Sequence, residues 1–175
     1  MRPQDWPLEE GYSIELLAES ERAAAGDVVE FWVREGAMDR ERAEERVGEV
    51  LLVALDDAGE VVGVSSVYRN PFPRLGVDMW FQRGFVAERH RASNIGMQFA
   101  IGGIDHLERR FDAGEDTSGK GVVQELENEG LKRYFNKGWE PPTDMVFIGI
   151  NTRGDHVRVH WFPNARVPAR PPAGG

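Results

Sequence analysis

Two apolar runs joined by a short polar turn place the tightest constraint on the fold. Residues 50–55 and 61–68 are rich in Val and Leu, and residues 56–59 between them read Asp-Asp-Ala-Gly, which are turn-forming residues. Apolar runs of this length on either side of a polar turn predict the two strands of a β-hairpin. The sequence therefore predicts that an antiparallel sheet forms part of the core.

Other segments extend this sheet and add helices. Strands are also predicted at residues 12–17, 78–86, 121–126, 145–150 and 157–162. Helices are predicted at residues 20–35, 39–47, 94–110 and 128–137, with Asp39 as a helix cap. Residues 70–73 include two prolines and are predicted to break the strand before them. This order of elements predicts an α/β (α+β) domain with a mixed, mostly antiparallel sheet of about seven strands flanked by about four helices.

Length and the distribution of proline predict the domain boundaries. The chain has 175 residues, which fits one ordinary domain. From Pro163 onward the sequence is rich in proline and ends in Ala-Gly-Gly. We therefore expect a single domain over residues 1–163 and a flexible Pro- and Gly-rich tail over residues 164–175.

Composition excludes several classes of function. The chain has no cysteine, which rules out disulfides, thiolate metal sites and a cysteine nucleophile. A formal net charge of −9 disfavours nucleic acid as a partner, because Lys and Arg must neutralise its phosphates. No apolar run reaches the roughly 18 residues that span a bilayer, and the N-terminus lacks the apolar core of a signal peptide. We therefore expect a cytoplasmic protein that binds neither nucleic acid nor membrane.

A metal site is not expected either. His156 and His160 lie four residues apart on a predicted strand, hence on one face, but Arg158 lies between them on the same face and would repel a cation. We expect this face of the strand to be exposed to solvent.

The segment with the most chemical information is residues 85–96, where a strand ends, a basic turn follows and a helix begins. A helix N-terminus leaves backbone amides unpaired and presents the positive end of the helix dipole, so it attracts anions. Small residues at Ala92, Ser93 and Gly96 let a phosphate approach the backbone. The basic side chains of the turn are Arg89, His90 and Arg91. An anion-binding turn and an ordinary helix capped by Ser93 or Asn94 both fit this pattern.

A resemblance favours the first of these two interpretations. Residues 91–96, Arg-Ala-Ser-Asn-Ile-Gly, resemble the pyrophosphate loop of the GNAT superfamily of acyl-CoA N-acyltransferases, (Gln/Arg)-x-x-Gly-x-(Gly/Ala), which follows a strand. Asn94 stands where the family prefers glycine, a change that the backbone tolerates because Asn adopts left-handed conformations more readily than most residues. Glu88 stands where the family often has proline.

A second segment is similar to the same family. Residues 128–139 resemble the family's Asn-x-x-Ala-x-x-x-Tyr-x-Lys-x-Gly-Phe segment, but are one residue shorter before the glycine. The shortening leaves two alignments open, with either Tyr134 or Phe135 at the position of the tyrosine. The resemblance covers residues 12–162 in the order of their elements and implies a GNAT-type sheet.

The resemblance also implies a binding site for the donor. The amides of the turn would hold the pyrophosphate of acetyl-CoA or another acyl-CoA, Phe85 and Val86 would pair with its pantetheine arm, and Asn128 would contribute from the second segment. The residues implied for the turn are Arg91, Ala92, Ser93, Asn94, Ile95 and Gly96. A backbone N–H of the strand would stabilise the oxyanion that forms when an amine attacks the thioester.

The candidate catalytic groups follow from the same resemblance and from position. Tyr134 is the candidate acid that protonates the departing thiolate, and its alternative is a core aromatic. Asp78 is the first candidate base and Glu88 the second, although either also fits a surface carboxylate. The sequence thus predicts an acetyltransferase that acts without a metal on a primary amine of a small molecule or peptide, and it leaves a homodimer open. The alternatives are a GNAT-fold module that binds CoA without turnover and an enzyme for a longer acyl or aminoacyl donor.

Overall fold

The computed structural model describes residues 6–169, and this range contains eight strands and four α-helices. The strands are β1 (Tyr12–Leu16), β2 (Val50–Asp56), β3 (Val61–Phe72), β4 (Val77–Val86), β5 (Gly121–Leu126), β6 (Trp139–Glu140), β7 (Met145–Ile150) and β8 (His156–Trp161). The helices are α1 (Ala25–Arg34), α2 (Arg40–Arg46), α3 (Ile95–Asp112) and α4 (Glu129–Tyr134). Residues 170–175 of the predicted tail lie outside the described residues.

The strands form one mixed sheet in the order β1-β2-β3-β4-β5-β8-β7-β6. β4 and β5 are parallel, with residues 80–82 opposite residues 122–124. Antiparallel ladders join β1 with β2, β2 with β3, β5 with β8, β7 with β8 and β6 with β7. The predicted fold class is confirmed, with eight strands in place of about seven.

The extra strand and one wrong boundary have simple causes. β6 escapes prediction because two residues are too few to show a period. The predicted break at residues 70–73 is wrong, because β3 continues through Pro71 to Phe72. Proline lacks an N–H, but its fixed backbone suits extended chain outside the centre of a ladder. The chain turns only after Phe72, whose carbonyl accepts from the N–H groups of Leu75 and Gly76.

The described chain divides into two compact units. The first unit comprises residues 6–67 and 83–103, and the second comprises residues 68–82 and 104–169. That residues 1–163 fold as a single domain stays a prediction.

The core of the first unit lies on both faces of its strands. Val28, Phe31 and Trp32 of α1 are buried in one cluster with Val53 and Leu55 of β2. These α1 residues share one face because their spacing follows the helical period. The helix therefore attaches to the sheet by its apolar stripe.

Polar side chains set the starts of the first two helices. α1 begins at Ala25, later than predicted, because the hydroxyl of Ser20 accepts from the N–H of Ala23 and holds the chain outside the helix. Asp39 caps α2, since its Oδ1 accepts from the N–H of Arg42 at 2.9 Å. The predicted cap is therefore confirmed.

The first turns of α3 pack on the opposite face of the same strands. Ile95 and Phe99 are buried with Leu52 and Ala54 of β2. Gly63 of β3 permits this close packing, because a Cβ at this position would lie 3.1 Å from the ring of Phe99 and 3.3 Å from Ile95. The contact fixes the start of α3 against the sheet.

In the second unit, one face of β8 is buried although the sequence predicts it to be exposed. Arg158 and His160 are 2% and 6% exposed. His160 places Nε2 at 2.8 Å from Oε2 of Glu108 and Nδ1 at 3.1 Å from the carbonyl oxygen of Thr143. The prediction of a solvent-exposed face is therefore wrong. Glu108 of α3 and the chain before β7 supply oxygen partners for His160, and Nη2 of Arg158 has backbone carbonyl groups as partners.

Arg158 also explains why α4 is shorter than predicted. Its Nη2 donates to the carbonyl oxygens of Phe135 at 2.7 Å and Lys137 at 2.8 Å. Phe135 leaves helical conformation with φ −93° and ψ 74°, so α4 ends at Tyr134. A buried guanidinium on β8 thus replaces helical hydrogen bonds as the partner of these carbonyl groups.

Candidate functional site

The turn after β4 is held by its own hydrogen bonds. Residues 88–90 form a short 3-10 helix, in which the N–H of His90 donates to Ala87 O at 2.9 Å and the N–H of Arg91 donates to Glu88 O at 3.3 Å. The hydroxyl of Ser93 donates to His90 O at 2.5 Å. His90 Nδ1 lies 2.7 Å from the hydroxyl of Tyr12, which ties the turn to β1. The turn is therefore a fixed structure and not a loose connection.

Asn94 enters α3 in a left-handed conformation, with φ 62°. Few non-glycine residues adopt this conformation, and Asn is among those that do. It is also the conformation that a glycine in this position of the resembled motif would adopt at no cost. The structure thus shows how the motif accommodates Asn94 in place of glycine.

The first turn of α3 presents unpaired amides. An α-helix leaves the N–H groups of its first residues without intrahelical acceptors, and here these belong to Ile95, Gly96 and Met97. Among the hydrogen bonds described for residues 6–169, neither candidate cap serves these amides, because Ser93 Oγ donates to His90 O and Asn94 Nδ2 donates to Pro7 O. The arrangement can accept an anion at the positive end of an 18-residue helix.

Two arginines of the turn have different electrostatic surroundings. Arg89 pairs with Glu35 at 3.0 Å. Burial raises the pKa of Glu35, but hydrogen bonds and charge from Arg89 and Arg34 outweigh burial and hold that pKa below its usual value. Arg91 is exposed and donates through Nε to the carbonyl oxygen of Val86 at 3.2 Å. Arg91 is therefore held at Nε of its guanidinium, in the turn that leads into α3.

The predicted donor-binding residues of the first unit lie along one short stretch of chain. Phe85 and Val86 end β4 and are half-buried, with the ring of Phe85 5.7 Å from that of Phe31. Ala92 and Gly96 are exposed, whereas Ser93 and Ile95 are buried. Glu88 is exposed in the 3-10 helix.

The second unit contains the other predicted site residues. Asn128 caps α4, because its Oδ1 accepts from Gly130 N at 2.8 Å and Leu131 N at 3.1 Å. Tyr134 is the last residue of α4 and is 59% exposed, so its alternative reading as a core aromatic is wrong. Phe135 is half-buried, and its ring contacts that of Tyr134 edge to face.

Asp78 is engaged in an ion pair. Its Oδ2 accepts from Nη1 of Arg69 at 2.7 Å, and its side chain is 35% exposed. The contact engages one oxygen of the carboxylate, and an ionised carboxylate has further lone pairs that can accept a proton. Its assignment as the base stays a prediction, as do those of Glu88 and Tyr134.

Sequence reasoning misses three features of these units. Glu35 follows α1 and neutralises Arg89, a pairing between residues far apart in sequence. Arg158 holds the chain after α4, although the pattern of β8 suggests only a polar face. Residues 6–9 contact the start of α3, and no local pattern indicates this. All three depend on tertiary contacts, which local periodicity does not encode.

The described residues include neither a membrane-spanning helix nor a cluster of metal-binding side chains. No helix within residues 6–169 is long and apolar enough to cross a membrane. In the same range, no group of three or more His, Asp or Glu side chains is placed to hold a metal ion.

Solved structures with the same architecture cover nearly the whole chain. The ribosomal-protein-S5-alanine acetyltransferase from Vibrio fischeri is 12% identical, with a TM-score of 0.57 over 90% of this chain and 97% of that chain. A GCN5-related N-acetyltransferase from Kribbella flavida is 20% identical, with a TM-score of 0.54 over 87% and 98%. The chain has the GNAT fold. A mutant AtaT toxin bound to the C-terminus of the antitoxin AtaR and to acetyl-CoA is 13% identical, with a TM-score of 0.57 over 87% and 94%.

These comparisons confirm the resemblance at the level of the fold. No protein-family model and no curated protein sequence matches the chain. Identities of 20% or less to the GNAT-fold structures named above establish the architecture but not the reaction.

Proposed function

We propose that the protein transfers an acetyl group from acetyl-CoA to a primary amine of a small molecule or peptide. The observation that carries the proposal is the turn at the start of α3 in a GNAT fold, with Asn94 at φ 62° and the first-turn amides uncapped by Ser93 or Asn94. A pyrophosphate is the anion that this site would take, because it spans several amide donors and carries the charge that a helix N-terminus favours.

The donor is proposed to bind along the end of β4 and the turn. The amides of residues 91–96 would surround the pyrophosphate, and the guanidinium of Arg91 would neutralise part of its charge. Phe85 and Val86 would pair with the pantetheine arm, and Asn128 is proposed as a further polar residue for the donor. Acetyl is the proposed acyl group because the neighbours named above are acetyltransferases or, in the case of AtaT, contain acetyl-CoA.

The proposed reaction is direct attack of the neutral amine on the thioester carbonyl carbon. A C–N bond forms as the carbonyl oxygen becomes an oxyanion, which a backbone N–H at the end of β4 would stabilise. Collapse of the intermediate breaks the C–S bond and releases CoA as a thiolate, which Tyr134 would protonate. The proton lost by the amine would pass to Asp78 or Glu88, directly or through water. No metal takes part in these steps.

A second candidate function is a module that binds CoA without turnover. The observations that favour it are the ion pair of Asp78 with Arg69 and the high exposure of Tyr134. The ion pair engages one oxygen of the candidate base, and exposure brings water to the candidate acid, which weakens the electrostatic effects that catalysis uses.

Thiol release from acetyl-CoA distinguishes these two functions. The protein has no cysteine, so a thiol-reactive dye reports only the CoA that is released. We expect amine-dependent release with at least one member of a panel of diamines, amino sugars and peptides with free N-termini. Longer acyl donors in the same assay test the choice of acetyl. Binding of acetyl-CoA without release for any amine would favour the binding module, and absence of both would contradict the proposed function.

A further inference from the structure

Residues 6–9, called here the N-terminal strap, lie along the start of α3. The side-chain amide of Asn94 donates to Pro7 O at 3.0 Å, and that of Gln98 donates to Trp6 O. The N–H of Glu9 donates to Ser93 O at 3.4 Å. Asn94 and Gln98 are four residues apart and therefore share one side of the helix. The strap thus follows that side for one helical turn.

The strap is also held by apolar packing. Leu8 is half-buried in the cluster that contains Ile95 and Phe99 of α3 and Leu52 of β2. The same cluster fixes α3 against the sheet, so Leu8 and the two side-chain amides attach the strap to one rigid surface.

The contact with Asn94 has a specific consequence. A left-handed backbone is costly for any residue that has a Cβ, and it persists when surrounding contacts fix it. The hydrogen bond from Asn94 to Pro7 supplies such a contact at the residue that leads into α3. A turn of Asn94 toward an ordinary conformation would redirect the amides that follow it.

We propose that the N-terminal strap positions the donor site by locking Asn94 in its left-handed conformation. Asn94 is then the positioning residue through which the strap acts on the amides of Ile95 and Gly96. This inference rests on the proposed function for its ligand, acetyl-CoA, but its structural part can be tested without any ligand.

The pattern of hydrogen bonds argues against the opposite role, in which the strap occupies the anion site. Within residues 6–169, the strap contacts described here use the side chains of Asn94 and Gln98 and the carbonyl of Ser93. They do not use the N–H groups of Ile95, Gly96 or Met97, which are the donors proposed for the pyrophosphate. Strap and ligand therefore engage different atoms of the turn.

Substitutions in the 175-residue chain distinguish the effect of the strap contacts from the effect of the backbone conformation at position 94. Leu8→Ala combined with Gln98→Ala, the release pair, weakens the strap and keeps Asn94. Asn94→Gly removes the anchored side chain but keeps the left-handed backbone accessible, whereas Asn94→Ala removes both. Calorimetric titration with acetyl-CoA gives the affinity of each variant and of the release pair in the Asn94→Gly background.

The proposal predicts a dependence on the residue at position 94. The release pair and Asn94→Ala should each weaken acetyl-CoA binding about five- to thirtyfold, the scale of the cost of a left-handed residue. Asn94→Gly sets the reference affinity of its own background, in which the release pair should change the affinity less than about twofold. An equal loss in both backgrounds would show that the strap does not act through Asn94. Tighter binding in the release pair would show that the strap competes with the ligand. Either result overturns the proposal.

Hydrogen exchange gives the readout that needs no ligand. In the release pair, the hydrogen-bonded amides of residues 91, 93 and 98 should exchange faster than in wild type, while those of β2 should be unchanged. If wild type does not bind acetyl-CoA, the proposed function fails, yet this exchange pattern still supports the positioning role of the strap. Unchanged exchange at these three amides, or equal acceleration in β2, would overturn it.

Discussion

The buried guanidinium of Arg158 gives the sharpest prediction about stability. Arg158 is 2% exposed, and its Nη2 donates to Phe135 O at 2.7 Å and Lys137 O at 2.8 Å. Glu140, 6% exposed, approaches the same nitrogen at 3.8 Å. The perturbation is Arg158→Met, which keeps an apolar stem of similar shape but removes the guanidinium with its charge and every donor.

The magnitude follows from two opposing effects. Each hydrogen bond from a charged donor contributes about 1.5–3 kcal/mol, so the loss of two costs about 3–6 kcal/mol. Burial lowers the pKa of Arg158, opposed by the charge of Glu140, which shows that the buried charge itself is unfavourable. Removing the buried charge recovers about 1–2 kcal/mol of stability. It also removes Nε and Nη1, which are buried without hydrogen-bond partners. We therefore expect Arg158→Met to lower the free energy of unfolding by about 3 kcal/mol.

Urea denaturation measures this change, provided that the m-value is unaltered. Arg42→Met is the matched control, because Arg42 is exposed on α2 and should change stability by less than about 0.5 kcal/mol. Glu140→Gln in the Arg158→Met background should recover part of the loss, since the carboxylate is then no longer buried without a counter-charge. A loss below about 1 kcal/mol for Arg158→Met would refute the reasoning, because the two hydrogen bonds would then contribute little beyond the cost of burying the charge.

Three further predictions concern turnover, packing and pH. Tyr134→Phe should lower kcat by at least about tenfold with little change in KM for acetyl-CoA, and full activity in steady-state assays would remove Tyr134 from the mechanism. Gly121→Ala should lower the free energy of unfolding by more than about 3 kcal/mol in denaturant melts, because its Cβ would overlap the carbonyl oxygen of His160. The control Gly26→Ala has open space in α1 and should raise the free energy of unfolding by about 0.5–1 kcal/mol. Folding lowers the pKa of Glu35, and it lowers the pKa of Asp116 because the hydrogen bond from the Ser118 hydroxyl outweighs burial. A lowered carboxyl pKa adds stability that is present above the ordinary carboxyl pKa and is lost as pH falls through the pKa of the folded state. The melting temperature should therefore fall between about pH 5 and pH 3, and less steeply in Glu35→Gln; an identical profile would contradict this.

Local patterns predict much of this fold. The apolar runs of β2 and β3 flank a turn in which the Asp56 side chain accepts from the N–H groups of Ala58 and Glu60. Asp39 caps α2 as expected, because a cap depends only on residues within one turn. Asn94 adopts the left-handed backbone that Asn accommodates more readily than most residues. In each case a local preference of the residues themselves agrees with the structure.

The errors arise where distant residues decide the outcome. α4 stops at Tyr134 because Arg158, far along the chain, bonds the carbonyl groups that would continue the helix. The sequence fails to predict the burial of His160 for the same reason, because its partners Glu108 and Thr143 lie far from it in the sequence. A polar pattern on a strand predicts exposure only when no oxygen acceptors are supplied from elsewhere in the fold.

Calorimetric titration of acetyl-CoA and of free CoA into the wild-type protein tests the central claim most directly, with Arg91→Ala and the control Arg42→Ala measured in parallel. We expect micromolar binding of both ligands by wild type and by Arg42→Ala. For Arg91→Ala we expect a loss of about 1.5–3 kcal/mol in binding free energy, the scale of a charge-assisted hydrogen bond to phosphate. Absence of binding by wild type, or equal affinity in Arg91→Ala, would contradict the assignment of the turn at the start of α3 as a pyrophosphate site.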